Sequence, residues 1–331
     1  MGSHHLRVLR GIEGVEIPAV VDIDPERGAR AVADHPGARA HRSLAEALAA
    51  HDLDFACIAL PVDDLPAATL EALNAGLHVL VEKPLAPTEE HARDMIATAE
   101  RAGLALAVGH VERFNPAVVA LRDRLEEGLI GKVHQMHARR LSPFPNRTGA
   151  QGVALDLATH DIDVMRFVTG QEINRVYAET ASPLAGGCED LLCATLRFDD
   201  DATGLLEVNW MTPTKVRQLS ILGERGMFVV DYLAQDLSFY EHPTRATDWD
   251  ALAGMRGGGE GDMVRYALDR REPLRVQWEA FLDAARTGDA PPVSGSAGLA
   301  SLSTARAIRR SGEIHAAVTP SYRGPVRGSV A

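Results

Sequence analysis

Cysteine is scarce in this chain. The three present, Cys57, Cys188 and Cys193, form no C-x-x-C pair. That excludes a disulfide framework and a cysteine-based metal site, and it points to a reducing compartment. Positive charge is also in deficit: 34 Lys and Arg stand against 46 Asp and Glu, a net charge of −12. An overall basic footprint for nucleic acid is therefore absent, and an anionic membrane surface is not a matching partner. No apolar run reaches the roughly 18 residues of a membrane helix, and no signal peptide is visible. The cytoplasm is the expected location. What remains is an ordinary globular mixture, 46% hydrophobic and 24% charged over 331 residues, enough for two domains.

The first part of the chain alternates strand and helix, as in a parallel sheet flanked by helices. VEIPAVVDID (15–24) predicts a strand and PERGARAVADH a helix, with Asp24 as cap and Pro25 at the first helical position. Further helices are expected at 43–50 behind Ser43, at 66–76, and at 88–103 between Thr88 and Gly103. Strands are expected at 54–61, 77–84 and 104–110. Past GHVERFNPAVVALRDRLEEGLIG the strands become longer and alternating, as in an antiparallel sheet. Helices are expected at 154–170, at 272–288 and over SAGLASLSTARAIRRSGE. WDALAGMRGGGEGD reads as a mobile glycine-rich loop and SYRGPVRGSVA as a disordered tail. The expected division is a nucleotide-binding domain over 1–118, a second α/β domain over 119–318 and a tail over 319–331.

Three groups of residues carry chemistry. Asp22 closes a strand, where an acid can hydrogen-bond the ribose of a dinucleotide about 20 residues beyond a glycine turn; counting back reaches Gly2. An acid there is otherwise an ordinary turn residue. Glu82-Lys83-Pro84 closes another strand, at the edge where ligands sit in open parallel sheets. A lysine there can engage a substrate hydroxyl, or it is a surface charge before a proline turn. Asp156 and His160, four apart, share one face of a helix, where a carboxylate can orient an imidazole acting as general base. Asp161 and Asp163 add further acids, with a helix cap or solvated face as the plainer reading. His134 and His137 fall on opposite faces of a strand, and no metal site is expected.

Together, AGLHVLVEKPLA, VGHVERFNPAV and DLATHDIDVMRFVTG resemble the Gfo/Idh/MocA oxidoreductases, over nearly the whole chain. The resemblance implies a Rossmann domain that binds NAD(P), and a C-terminal α/β domain with an open, mainly antiparallel sheet that makes homodimer or homotetramer contacts. GHVERFNPAV, NWMTPTKVRQLSILGERGMFVVDY and EPLRVQWEAFLDA look like the branch of UDP-N-acetylglucosamine 3-dehydrogenases, close to inositol dehydrogenases. By resemblance, Lys83 contacts the reacting hydroxyl, His160 is the base and Asp156 fixes the geometry, although the choice between His160 and Lys83 as base stays open. Pro61 and Glu82 join Gly2, Asp22 and Lys83 on the cofactor side. Asp22 favours NAD over NADP, because a carboxylate repels a 2′-phosphate. Relatives carry Pro-Asn/Thr-x-x-His after the third strand; here Val62 and Leu65 take the polar and His positions.

A nucleotide-sugar substrate needs local positive charge. Candidates are Arg113, Arg139, Arg140, Arg147, Lys215 and Arg217, with Asn115, Asn209 and Trp210 as further substrate contacts. A free polyol such as inositol would need no such cluster. A third reading is a truncated paralogue or regulatory subunit without activity. It arises from MGSHHLRVLRG, which fits the second half of a G-x-G-x-x-G fingerprint and its helix, with Gly2 as the last glycine. On that reading the first Rossmann strand is lacking, and the sheet is expected to have a gap and the chain to bind NAD poorly.

Overall fold

The computed structural model describes residues 1–145, 151–184, 187–243 and 261–323. They divide into two compact units, Met1–Val111 with Arg271–Leu302, and Glu112–Arg270 with Ser303–Ala331. The first unit is discontinuous, which corrects the division at residue 118. WDALAGMRGGGEGD lies outside the described residues except for its last two positions. Among the described residues no helix is long and apolar enough to cross a membrane.

In the first unit, α1 (Gly2–Leu9) leads to β1 (Ala19–Val21), α2 (Pro25–Val32), β2 (Arg39–His41), α3 (Leu44–Ala50) and β3 (Phe55–Ile58). Then come α4 (Leu65–Asn74), β4 (His78–Val81), α5 (Glu89–Ala102) and β5 (Leu106–Val108). The expected caps are in place: Asp24 accepts from the amides of Glu26 and Arg27, Ser43 from Glu46, and Thr88 from His91. Only three residues of the expected 15–24 segment form a strand, because Ala19–Val21 has a single neighbour, β2, to hold it. Later in the chain α8 (Pro273–Thr287) returns to this unit. Its Trp278 and Phe281 are fully buried with Val8, Leu9 and Leu80. That apolar anchorage, invisible as a partner choice in the helix's own sequence, is why 271–302 belongs here.

The parallel sheet of this unit is in two pieces, β1-β2 and β3-β4-β5. The Arg39 amide donates to Pro18 and the Asp22 amide to His41, so alternation turns the main-chain groups of Ala19 and Val21 to the other side. Likewise the His78 amide donates to Asp54 and the Glu82 amide to Ile58, which turns Phe55 and Cys57 away from β4. Both edges line one cavity of about 2940 Å³, together with the exposed side chains of Val21, Ile23 and Leu60.

The second unit holds α6 (Pro116–Glu126), β6 (Val133–Leu141), a π-helical turn (Ala154–Ala158) and α7 (Thr159–Thr169). Seven strands follow: β7 (Ile173–Ala181), β8 (Leu191–Phe198), β9 (Thr203–Asn209), β10 (Val216–Gly223), β11 (Gly226–Asp231), β12 (Asp236–Glu241) and β13 (Met263–Arg265). The eight strands form one sheet in the order β13-β12-β11-β10-β6-β9-β8-β7, antiparallel except for the β6–β9 pair. Period-two burial is clean, as in β8, where Leu192, Ala194 and Leu196 face inward and Cys193 and Thr195 outward. The last helix, α9 (Gly295–Ile314), places Ser311 against the Ala178 amide. The tail is ordered further than expected: Val318 bridges Val176, and the Tyr322 hydroxyl donates to Glu172 and holds the Ile173 amide. Residues 324–331 lie outside the described ones.

Candidate active site

In the second unit the segment before α7 opens at Gly152. A Cβ there would stand 2.1 Å from the Glu189 carboxyl, so this close approach requires glycine. Glu189 accepts from the Ala154 amide at 3.1 Å and caps the π-helical turn that follows. From Gly152 to Arg166 every residue is buried except Asp156 and His160. The expected pair is therefore the accessible stripe of an otherwise buried segment, presented through a π-helical turn.

Arginines beneath α7 fix it. Arg140 from β6 binds Asp161 through two hydrogen bonds of 2.6 and 3.0 Å and reaches Glu112 at 3.2 Å. Arg113 binds Asp163 through two bonds of 2.6 Å and lies over the Phe167 ring. Burial raises the Asp161 carboxyl above its ordinary range, and Arg140 opposes part of that rise. Burial opposes the Arg140 charge, yet Asp161 and Glu112 hold it above its ordinary range. Asp161 and Asp163 are thus ion-pair partners beneath the helix, not a solvated acidic face. Among the described residues no group of three His, Cys, Asp or Glu is arranged to hold a metal.

The other expected substrate residues separate. Arg217 pairs in register with Arg140, so both side chains share the α7 face of the sheet. Its guanidinium donates to the carbonyls of Leu141 and Val216, and burial with the neighbouring Arg140 lowers its pKa against the opposing pull of Asp161, Glu112 and Asp156. Arg139 is corrected: it points to the opposite face and pairs with Glu207 at 2.8 Å. The guanidinium groups of Arg113 and Arg140 are engaged as described. Asn115 is buried and caps α6, its oxygen accepting from Ala117 and its amide donating to the Tyr232 carbonyl. The Asn209 oxygen accepts from the amides of Met211 and Thr212 and from the Thr212 hydroxyl, closing the turn after β9. Trp210 is buried, edge-on to Phe144. Lys215 is exposed just before β10, and Arg147 lies outside the described residues. No local pattern marks Glu189, or Glu112 as a member of the Arg140 cluster.

In the first unit Lys83 follows β4 after Glu82, at the carboxyl end of the parallel sheet. The Asp22 carboxylate accepts from the Asp24 amide at 2.9 Å. Gly2, at the head of α1, has nothing within 4 Å of where a Cβ would stand. Gly2, Asp22 and Pro61 line the one cavity. A strand-end carboxylate and an open helix N-terminus on a shared cavity fit the ribose and pyrophosphate of a dinucleotide. Arg27 is paired with Asp24. Leu65, at the position relatives give to His, is 1% exposed and starts α4 as a core residue.

A parallel Rossmann-type unit and a lysine at its strand ends, with an Asp–His pair in an α/β unit, define a nicotinamide-dependent oxidoreductase acting on CH–OH groups. The model of the oxidoreductase family with an NAD-binding Rossmann fold matches residues 1–110, and that of the GFO/IDH/MocA C-terminal domain matches residues 118–229. The chain belongs to the Gfo/Idh/MocA family. It is 32% identical to the myo-inositol dehydrogenase Hyg17 of Streptomyces leeuwenhoekii, over 89% of this chain and 88% of that protein. It is 28% identical to the UDP-N-acetylglucosamine 3-dehydrogenase of Acidithiobacillus ferrooxidans, over 86% and 85%. The solved structure of the latter enzyme superposes with a TM-score of 0.83, covering 94% of both chains at 26% identity. The WlbA dehydrogenase of Bordetella pertussis, solved with NADH and UDP-GlcNAcA, shares the fold at a TM-score of 0.80, 24% identity and coverage of 95% and 93%.

Arg113→Leu leaves Asp163 buried without its guanidinium and is expected to cost about 3–5 kcal/mol. Arg139→Leu, at the half-exposed pair, is expected to cost under about 1 kcal/mol. Urea denaturation of the two variants checks the reassignment; equal losses would contradict it.

Proposed function

We propose that this protein oxidises a secondary hydroxyl of a sugar, at C3 of UDP-N-acetylglucosamine or a related UDP-amino sugar. The observation that carries the reading is the accessible Asp156–His160 pair on a buried segment, with the half-buried cation of Arg217 on the same side of the sheet. Bound NAD⁺ supplies the hydride acceptor. His160 takes the hydroxyl proton, because imidazole is the side chain suited to proton exchange near neutral pH. Asp156 orients His160 and stabilises its charged form. The Lys83 ammonium holds the reacting oxygen, and Asp22 holds the ribose. Among the described candidates, Arg217 and exposed Lys215 are the cations left for a diphosphate once Arg113, Arg139 and Arg140 are engaged elsewhere. That engagement favours a second reading, a dehydrogenase of an uncharged polyol such as inositol, in line with the 32% identity to a myo-inositol dehydrogenase. The sheet face bearing His137, Arg139 and Tyr177 is the one expected to meet a second copy.

The test is reduction of NAD⁺ by purified protein with UDP-N-acetylglucosamine and, separately, with myo-inositol. Activity with neither would overturn both readings. His160→Ala is expected to lower kcat by about 10²–10⁴-fold with little change in the Kd for NAD⁺. Arg217→Ala is expected to raise KM for the UDP-sugar about tenfold or more and to leave turnover of inositol, if present, nearly unchanged. Equal effects on both substrates would remove Arg217 from diphosphate binding.

A further inference from the structure

Lys83 is preceded by a carboxylate that has no room to move. Glu82 is 6% exposed and lies against Gly109, where a Cβ would stand 3.0 Å from its carboxyl group. One Glu82 oxygen accepts from the Lys83 amide at 3.2 Å. The other is 2.8 Å from Nε2 of His5, which is 1% exposed on α1. On the far side of that ring, the indole Nε1 of Trp278 is 2.9 Å from His5 Nδ1. An indole N–H can only donate. Nδ1 of His5 therefore carries the lone pair, and Nε2–H donates to Glu82. The tautomer is fixed by the tryptophan, and the direction of the whole chain follows: Trp278 to His5 to Glu82, which in turn holds the Lys83 amide.

Burying these groups is expensive. Trp278 stands fully buried among Phe55 and Phe281, with ring centroids 5.6 and 5.5 Å away, where a purely apolar side chain would pack as well. Networks of this kind add little net stability over a hydrophobic replacement. What the network does specify is the orientation of one carboxylate and the peptide that leads into Lys83. We propose that His5 and Trp278 are positioning residues for the proposed reaction: they hold Glu82, and through it the backbone from which the Lys83 side chain departs. The inference rests on the role given to Lys83 above. Both side chains are buried, and each acts through Glu82.

Trp278→Phe keeps the ring and removes the N–H. His5→Gln keeps a donor for Glu82, and His5→Leu removes it. With the substrate that the wild type turns over, Trp278→Phe and His5→Leu are expected to lower kcat about 10–100-fold, with KM for NAD⁺ within about twofold, while His5→Gln retains most activity. Lys83, Lys132 and Lys215 are the only lysines of the chain, so ¹³C labelling at lysine Cε gives three signals, and Lys83→Arg assigns one of them. That signal is expected to move in Trp278→Phe and His5→Leu and to stay in His5→Gln. A loss of Tm with kcat and the Lys83 signal both unmoved would reduce His5 and Trp278 to packing residues and overturn the inference. If the wild type oxidises neither sugar, the proposed function fails separately, and the lysine spectra still decide the positioning role.

Discussion

The Arg140 guanidinium is almost wholly withdrawn from water, and the carboxylates of Asp161 and Glu112 keep it charged there. An unpaired charge at that depth would cost more than the unit could sustain. The arginine therefore dictates where α7 lies on the sheet, because Asp161 has to meet it with two oxygens. Arg113 and Asp163 repeat the constraint two residues on, and Phe167 receives the second guanidinium over its ring. Glu189 holds the other end of the segment. With three carboxylates pinned, the segment has no rotational freedom left, and Asp156 and His160 are the side chains it leaves accessible.

The first unit obeys a different constraint. Its strands are short and parallel, and its core depends on a helix from far along the chain, since Trp278 and Phe281 complete the cluster around Leu80. One polar thread crosses its interior, from the indole through His5 to Glu82, and ends where the lysine begins. Elsewhere the main chain is paired by neighbouring strands, except along the two edges that border the cavity.

Much of this was legible in the sequence. Alternation located the strands of the eight-stranded sheet from β6 to β12, though not β13, and Ser43, Asp24 and Thr88 announced helix starts because their side chains satisfy amides that no helix can. The Asp–His pair was legible as a spacing. What was not legible was direction. Arg139 and Arg140 are the same residue type side by side, and strand geometry sends one to a half-exposed glutamate and the other into the interior. Asn115 and Asn209 looked like ligand contacts because amide side chains suit both ligands and turns; here the backbone claims them. The partner of a helix is equally hidden: the pattern of α8 shows an apolar face, not the sheet it will cover. Nor does any local signal announce the π-helical turn, which arises from how the segment is held at both ends.

That turn has a consequence for how the protein can change. Residues 152–166 carry two messages in one stretch of chain, a structural one written in all the buried positions and, on the proposed function, a chemical one in the two that are not. The two alphabets do not overlap. Replacement of Asp156 or His160 falls on the two half-exposed positions of the segment, whereas any change between them falls on a buried one.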